Sequence, residues 1–161
     1  MSKIDTIIDG VLKREGGLVN DPADGGGRTD KGISEKSNPG AWADGKVTQE
    51  EARAIYTQKY VNHPGFNKIE DTHLQAQLID FGVNSGPAIA IMKLQDILKV
   101  TADGVLGPET LEALEKAQAW TDVNNLLVAA RVRLIGRIVS KNPSQIKFLN
   151  GWLERILGFL V

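Results

Sequence analysis

Apolar residues recur at the spacing of an α-helix along most of this chain, and this periodicity limits its fold more than any other feature. Ile4, Ile7, Ile8, Val11 and Leu12 follow the i, i+3, i+4, i+7, i+8 pattern of an amphipathic helix. Similar patterns begin near residues 48, 72, 87, 108, 121 and 143, and Gly or Pro separates most of them. The sequence therefore predicts a mainly α domain of about seven helices.

Capping signals indicate where several of these helices begin. The signals are a Thr48–Glu51 capping box, an N-cap at Thr121, and a proline in the first turn at Pro87, Pro108 and Pro143. The segment 32–45 lacks the helical pattern and contains Pro39-Gly40. We expect irregular structure there, with room for a small β-hairpin.

The composition excludes several kinds of site. The 161 residues include no cysteine, so disulfides, thiolate metal sites and cysteine nucleophiles are excluded. The two histidines, His63 and His73, lack a ligand-like spacing, and we expect neither a metal nor another cofactor. The 19 basic and 20 acidic residues give a net charge of −1, so there is no general attraction to nucleic acid.

Hydropathy gives no sign of export or membrane insertion. The first residues lack the features of a secretory signal, and no apolar run approaches the ~18 residues of a spanning helix. We expect a soluble protein made in the cytoplasm. Residues 152–161 are mostly apolar but include Glu154-Arg155, and Trp152, Ile156 and Phe159 keep a helical spacing. We expect this end to pack onto the body, with the last two or three residues loose.

Glu15 is the residue best placed for acid chemistry. It falls in the last turn of the first predicted helix, just before Gly16-Gly17. The helix dipole disfavours an anion there, and position 15 follows Val11 by one turn on the apolar side, so both effects raise its expected pKa. A glutamic acid that keeps its proton near neutral pH suits a general acid. The alternative is a helix end frayed into solvent.

Turn-forming residues follow, and they can bring Asp21, Asp24 and Thr29 back against Glu15. Glycoside hydrolysis uses such a set. One carboxylic acid protonates the glycosidic oxygen, while a second carboxylate, or a water held by polar side chains, acts at the anomeric carbon. A calcium loop is the competing interpretation, but the spacing and the terminal bidentate Glu of an EF-hand are absent.

These residues resemble the signature of a known family, glycoside hydrolase family 108, the lysozyme-like N-acetylmuramidases common among phage and prophage endolysins. The matching motifs are Glu15-Gly16-Gly17, Asn20-Asp21-Pro22, Asp24, Gly26-Gly27, Thr29 and Gly32-Ile33-Ser34. The resemblance implies a lysozyme-like fold with Glu15 as the catalytic acid. A similar Glu, Asp and Thr set in phage lysozymes implies that Asp24 and Thr29 position water or stabilise the transition state.

Five residues are candidates for substrate binding: Asp21, Trp42, Tyr60, Asp80 and Asn84. Trp42 can stack on a sugar or pack into the core. Asp80 and Asn84 lie at a helix junction, where they can bind saccharide hydroxyls or cap helix ends. The chain departs from the family at Gly25, and at Lys31 and Val61, where the family has aromatic residues.

The second half resembles the peptidoglycan-binding segment that accompanies this family. The motifs are Asp80–Pro87, Leu94-Gln95, Asp103-Gly104-Val105, Gly107–Leu111, Asn142–Gln145 and Phe148–Arg155. We expect a catalytic half, residues 1–83, and a peptidoglycan-binding half, residues 84–161, packed as one body.

The resemblance implies an endolysin that cleaves the β-1,4 bond between N-acetylmuramic acid and N-acetylglucosamine. Its partner is bacterial peptidoglycan, with no nucleic acid and no stable membrane insertion. We expect a monomer that stays in the host cytoplasm until a holin releases it to the wall or periplasm. Two alternatives stay open: a non-catalytic peptidoglycan-binding or phage structural protein, and a lytic transglycosylase.

Overall fold

A computed structural model of the chain describes residues 3–15, 28–117 and 119–161, without the side chains of Lys3 and Glu15. Seven α-helices and one antiparallel hairpin lie within these ranges: α1 (Lys3–Glu15), β1 (Thr29–Asp30), β2 (Ile33–Ser34), α2 (Gln49–Thr57), α3 (Thr72–Ser85), α4 (Pro87–Leu98), α5 (Pro108–Lys116), α6 (Trp120–Lys141) and α7 (Leu149–Leu157). The predicted mainly α class is confirmed. No helix in the described ranges is both long and apolar enough to cross a membrane.

Shorter helical turns join these elements. Three are 3₁₀ turns, at Pro39–Trp42, Phe66–Lys68 and Pro143–Phe148, and one turn of π-helix continues α2 over Gln58–Asn62. The chain divides into two compact units, an N-terminal unit (Met1–His63) and a C-terminal unit (Pro64–Val161). The division of function expected at residues 83 and 84 stays a prediction, because compactness does not locate function.

In the N-terminal unit, α1 packs against α2. The buried residues of α1 are Ile8, Val11 and Leu12, which confirms the predicted apolar stripe. Arg53 on α2 donates two hydrogen bonds to the Asp9 carboxylate of α1, with Nη2 2.8 Å from Oδ2 and Nε 3.0 Å from Oδ1. Such a two-pronged, charge-assisted contact fixes the orientation of the two helices.

The start of α2 follows the predicted capping box. The Glu51 N–H donates to Thr48 Oγ1 (3.2 Å), and the Thr48 N–H donates to Glu51 Oε2 (2.9 Å). Hydrogen bonds from the Thr48 side chain and then its backbone lower the pKa of the Glu51 carboxyl. The charged carboxylate therefore completes the cap at neutral pH.

In the C-terminal unit, α3 packs against α4 and α6, and α6 packs against α7. Trp152 and Phe159 pack on the cluster of Val128, Ile135 and Ile156, so the expected docking of the last helix is confirmed. The expected loose end is wrong for the backbone. The Val161 carbonyl accepts from Asn125 Nδ2 (3.0 Å), although half of the Val161 side chain is exposed.

Two predicted helix starts need correction. The helix α6 begins at Trp120 with Ala119 as its N-cap, and no side chain caps it, so Thr121 lies inside the helix. Pro143 opens a 3₁₀ turn, and α7 begins only at Leu149. The one-residue difference at α6 lies within the usual variation of helix ends. Residues 143–148 instead form 3₁₀ turns, which are common at the N-terminus of an α-helix.

Gln95 holds the turn between α4 and α5. Its buried amide nitrogen donates to Asp103 Oδ1 (2.7 Å), the Val105 carbonyl (2.9 Å) and Thr110 Oγ1 (3.0 Å). Its Oε1 accepts from the Gly104 N–H (2.9 Å), and Gly104 has a φ of +76°, which favours glycine. Hydrogen bonds from the Val105 N–H and then Gln95 lower the pKa of Asp103. The Leu-Gln and Asp-Gly motifs therefore serve this turn.

Replacing Gln95 with Leu should lower the free energy of unfolding by about 1–3 kcal/mol, because buried groups of the turn lose their hydrogen-bond partner. Urea unfolding followed by circular dichroism measures the change. Gln49→Leu, at an exposed position in the first turn of α2, is the matched control and should change stability by less than about 0.5 kcal/mol. Equal effects of the two substitutions would contradict the role given to Gln95.

Candidate active site

Glu15 and Thr29 are the two predicted catalytic residues that fall in the described ranges. Glu15 is the last residue of α1, and Thr29 opens β1 and is partly exposed. The predicted placement of Glu15 in the first helix is therefore confirmed. Asp21, Asp24 and the Glu15 side chain lie outside the described part of the chain, and their roles stay predictions.

The hairpin after Thr29 is closed by a two-residue turn, Lys31-Gly32. Both residues have positive φ, +51° and +75°, as a type I′ turn requires. Lys31 is an unusual residue for that backbone, and its Nζ donates to Asp30 Oδ2 (2.8 Å) and to the Val47 carbonyl (2.8 Å). The Tyr56 hydroxyl donates to the Lys31 carbonyl (3.0 Å). These contacts connect the turn to α2 and to Val47, which lies just before α2.

Arg28 and Glu35 flank the hairpin and form a two-pronged ion pair. Arg28 Nε lies 2.9 Å from Glu35 Oε2, and Nη2 lies 2.7 Å from Oε1. The hydrogen bond from Arg28 lowers the pKa of the Glu35 carboxyl, and the same bond raises the pKa of Arg28. Glu35 is therefore ionised near neutral pH, which makes it a poor proton donor.

Trp42 lies in the core of the N-terminal unit with 4% of its surface exposed. The Arg28 guanidinium covers its ring at 4.9 Å from the centroid, a cation–π contact. Trp42 therefore packs into the core, which is one of the two roles that the sequence allows. Stacking of Trp42 on a sugar would require Arg28 to move away from the ring. Tyr60 is partly exposed, with its ring 5.2 Å from that of Tyr56.

Asp80, in the C-terminal unit, is the centre of a buried ion cluster. Its Oδ2 accepts from Arg131 Nη2 (2.6 Å) and its Oδ1 accepts from Arg155 Nε (2.9 Å). Asn84 Nδ2 donates to the Asp80 carbonyl within the same helix (2.6 Å). Because Asp80 is only 1% exposed, direct contact with saccharide hydroxyls does not describe it. Asn84 remains exposed.

Comparison with known proteins adds to this geometry. No curated protein sequence matches the chain. A family model described as Glycosyl hydrolase 108 matches residues 8–86, and one described as Predicted Peptidoglycan domain matches residues 89–157. Among solved structures, SagA of Brucella abortus is similar, with 30% identity and a TM-score of 0.74 over 97% of this chain and 90% of that chain. The chain belongs to glycoside hydrolase family 108.

Family 108 membership makes this protein a glycoside hydrolase that acts on peptidoglycan, with peptidoglycan as its binding partner. The two matched segments meet between residues 86 and 89, where Gly86 separates α3 from Pro87. The helix α3 belongs to the hydrolase segment by sequence but packs with the C-terminal unit. The sequence segments and the compact units of this family member therefore have different boundaries.

Sequence reasoning missed the ion-pair partners of several charged residues. Arg28 and Glu35 stand seven positions apart across a short hairpin, so their pairing could have been inferred once the hairpin was placed. Lys31 stands where the family has an aromatic residue, and in the structure its side chain supports the turn. Arg131 lies 51 positions from Asp80, and no local signal links the two.

Proposed function

We propose that this family 108 hydrolase is an N-acetylmuramidase that cleaves the β-1,4 bond between N-acetylmuramic acid and N-acetylglucosamine, with Glu15 as the general acid. The supporting observation is the position of Glu15 at the C-terminal end of α1. The helix dipole disfavours an anion there. Position 15 follows Val11 and Leu12, both buried, by four and three residues. Both factors favour the protonated acid that protonates a leaving oxygen.

The neighbouring carboxylates support the choice of Glu15. Three of them in the described part of the N-terminal unit are engaged with cations: Asp9 with Arg53, Asp30 with Lys31, and Glu35 with Arg28. A carboxylate committed to a cation is poorly suited to carry and release a proton. Glu15 is the carboxylic acid that the family motif and the helix position both select.

In the proposed reaction, Glu15 protonates the glycosidic oxygen. On the other side of the bond, Asp24 and Thr29 position the water that attacks the anomeric carbon, or they stabilise the transition state. Thr29 is held by the hairpin, since it pairs with Ser34 in the register of β1 and β2. A second carboxylate ~5 Å from Glu15 would act as a nucleophile, and the anomeric carbon would keep its configuration. A separation of ~6.5–9.5 Å between the two carboxyl groups would leave room for a water molecule, and the configuration would be inverted.

Product analysis tests the proposed bond. Purified peptidoglycan is digested, the new reducing ends are reduced with borohydride, and the fragments are identified by mass spectrometry. Reduced N-acetylmuramic acid ends support the proposal. Reduced N-acetylglucosamine ends, anhydro-muramic ends or no cleavage would each overturn it, and they would indicate a glucosaminidase, a lytic transglycosylase or a non-catalytic protein.

Asp24→Asn and Thr29→Ala should each lower kcat by about 10-fold or more with little change in KM, because both groups are proposed to act in the transition state. Turnover of soluble muropeptide chains gives both constants. Thr101→Ala, at an exposed position in the C-terminal unit, is the matched control. A rise in KM alone would mean that Asp24 and Thr29 bind substrate or shape the loop.

We further propose that the protein acts as a monomeric phage endolysin whose release depends on a holin. The resemblance to phage and prophage lysins supports this proposal. Expression in a bacterial host with and without a co-expressed holin tests it by culture turbidity. Lysis only with the holin is the expected result, and equal lysis in both cultures would overturn it.

A further inference from the structure

Two helices of the C-terminal unit, α4 and α6, form the sides of an open groove of about 360 Å³. Four of the residues that line this basic groove are cationic and one is acidic: Lys93, Lys99, Arg133, Arg137 and Asp96. The remaining lining is apolar and consists of Ile97, Leu126 and Ala130. The lining therefore carries a net charge of +3, although the whole chain carries −1.

Most of the charge of the basic groove is not neutralised within the described part of the chain. Lys93 Nζ lies 2.8 Å from Asp96 Oδ2, and the other three cations have no ion-pair partner among the described residues. Lys99, Arg133 and Arg137 are all exposed. Like charges that line a concave surface raise the local concentration of ions of opposite sign. The groove therefore favours an anionic ligand.

The three unpaired cations occupy positions that do not favour the fold. Lys99 is the C-cap of α4 with a φ of +61°, the left-handed conformation that favours glycine. Arg133 and Arg137 are one turn apart on α6, and like charges at this spacing destabilise a helix. Because folding explains neither arrangement, both indicate a function for these side chains.

The basic groove is long enough for a short extended chain. Its lining residues on α6 extend from Leu126 to Arg137, and this part of the helix rises ~16 Å. An extended peptide of about five residues has the same length. Ile97 and Leu126 also line a neighbouring hollow of about 470 Å³, together with Leu98 and Val123. The groove therefore continues onto an apolar surface.

We propose that the basic groove binds an uncross-linked stem peptide of peptidoglycan. Such a peptide carries carboxylates, alanine methyl groups and one side-chain ammonium group. Its carboxylates pair with Lys99, Arg133 and Arg137, and its methyl groups lie against Ile97 and Leu126. The proposal rests on the protein acting on peptidoglycan.

Asp96 favours a stem peptide over a phosphate polymer or an anionic membrane. Its side chain lines the groove and is 53% exposed, so a carboxylate oxygen can accept a hydrogen bond from the ammonium group of the peptide. A polymer or membrane that carries phosphate groups alone would meet only repulsion from this carboxylate. The mixed charge of the lining therefore matches a ligand in which an ammonium group accompanies several carboxylates.

The test uses the full chain and two forms of one soluble peptide, N-acetyl-L-Ala-γ-D-Glu-L-Lys-D-Ala-D-Ala. Both carboxylates are free in the acid form, and both are amides in the diamide form. Two-dimensional NMR titration with the acid form should show saturable shifts at residues that line the basic groove. The diamide should bind at least about 5-fold more weakly, because it lacks both negative charges. Equal affinity for the two forms, or shifts confined to residues outside the groove, would overturn the proposal.

Two substitutions remove cations from the basic groove without a cost to the fold. Lys99→Gly places glycine where φ is +61°, and Arg137→Gln removes one member of the like-charged pair on α6. Each should weaken binding of the acid form by about 3-fold or more, while the melting temperature stays equal or rises. Lys68→Gln, at an exposed position that does not line the groove, is the matched control and should bind like the parent. Unchanged binding in either variant, or weaker binding only where the melting temperature falls, would overturn the proposal.

Further titrations separate this proposal from other ligands and from the proposed function. Binding of phosphatidylglycerol vesicles or polyphosphate that depends on Lys99 and Arg137, without saturable binding of the acid peptide, would overturn the proposal. Glu15→Gln should bind the acid peptide as tightly as the parent. Peptide binding by a protein that fails to release muramic ends would overturn the muramidase proposal and leave the groove assignment. Muramidase activity without peptide binding would overturn the groove assignment alone.

Discussion

Glu15→Gln should lower the turnover of peptidoglycan by about 100-fold or more while the melting temperature stays unchanged. The substitution is nearly isosteric and removes the proton that the leaving oxygen needs in the proposed reaction, and general acid catalysis contributes about 10²–10⁴-fold. The measurement is the initial rate of release of reducing ends from purified peptidoglycan. Binding to insoluble peptidoglycan should persist, because the substitution leaves the rest of the surface intact.

Two glutamates provide matched controls for this experiment. Glu50→Gln changes an exposed residue in the first turn of α2 and should leave turnover near that of the parent. Glu35→Gln weakens the two-pronged contact with Arg28. It therefore tests whether disturbing the hairpin, with Glu15 intact, is enough to lower turnover. If Glu15→Gln kept more than about a tenth of the parent turnover, the acid would be another residue.

Local patterns were sufficient to predict most of the helices. The Thr48 capping box, the proline-led starts of α4 and α5, and the buried stripe of α1 depend on residues within a few positions of one another. Positions at helix boundaries were less predictable. Thr121 is a good N-cap residue by type, but α6 begins one residue earlier at Trp120, a difference within the usual variation of helix ends.

The surroundings of the site residues could not be predicted, because they depend on residues far apart in the sequence. The position of Asp80 at a helix junction predicts a saccharide ligand or a helix cap. Its partners Arg131 and Arg155 lie 51 and 75 positions away and meet it only when α3, α6 and α7 pack together. A charged residue on a helix is therefore assigned a role only after the neighbouring helices are placed.

Asp80→Asn should lower the free energy of unfolding of the folded protein by about 3–5 kcal/mol, the loss typical of removing one member of a buried ion cluster. The side chain keeps its size, so no cavity forms. The two guanidinium groups, of which that of Arg131 is 3% exposed, lose the carboxylate between them and repel each other in poorly solvated surroundings. Chemical denaturation in urea at neutral pH measures the change.

A surface control and a double variant distinguish this electrostatic explanation from a general intolerance of substitution. Asp96→Asn removes an i,i+3 partner of Lys93 whose side chain is 53% exposed, and it should cost less than about 1 kcal/mol. Adding Arg155→Met to Asp80→Asn removes one of the two repelling cations, so the double variant should be more stable than the sum of the two single losses predicts. Strict additivity would mean that Asp80 and Arg155 stabilise the C-terminal unit independently, and that the carboxylate does not act by neutralising the arginine pair.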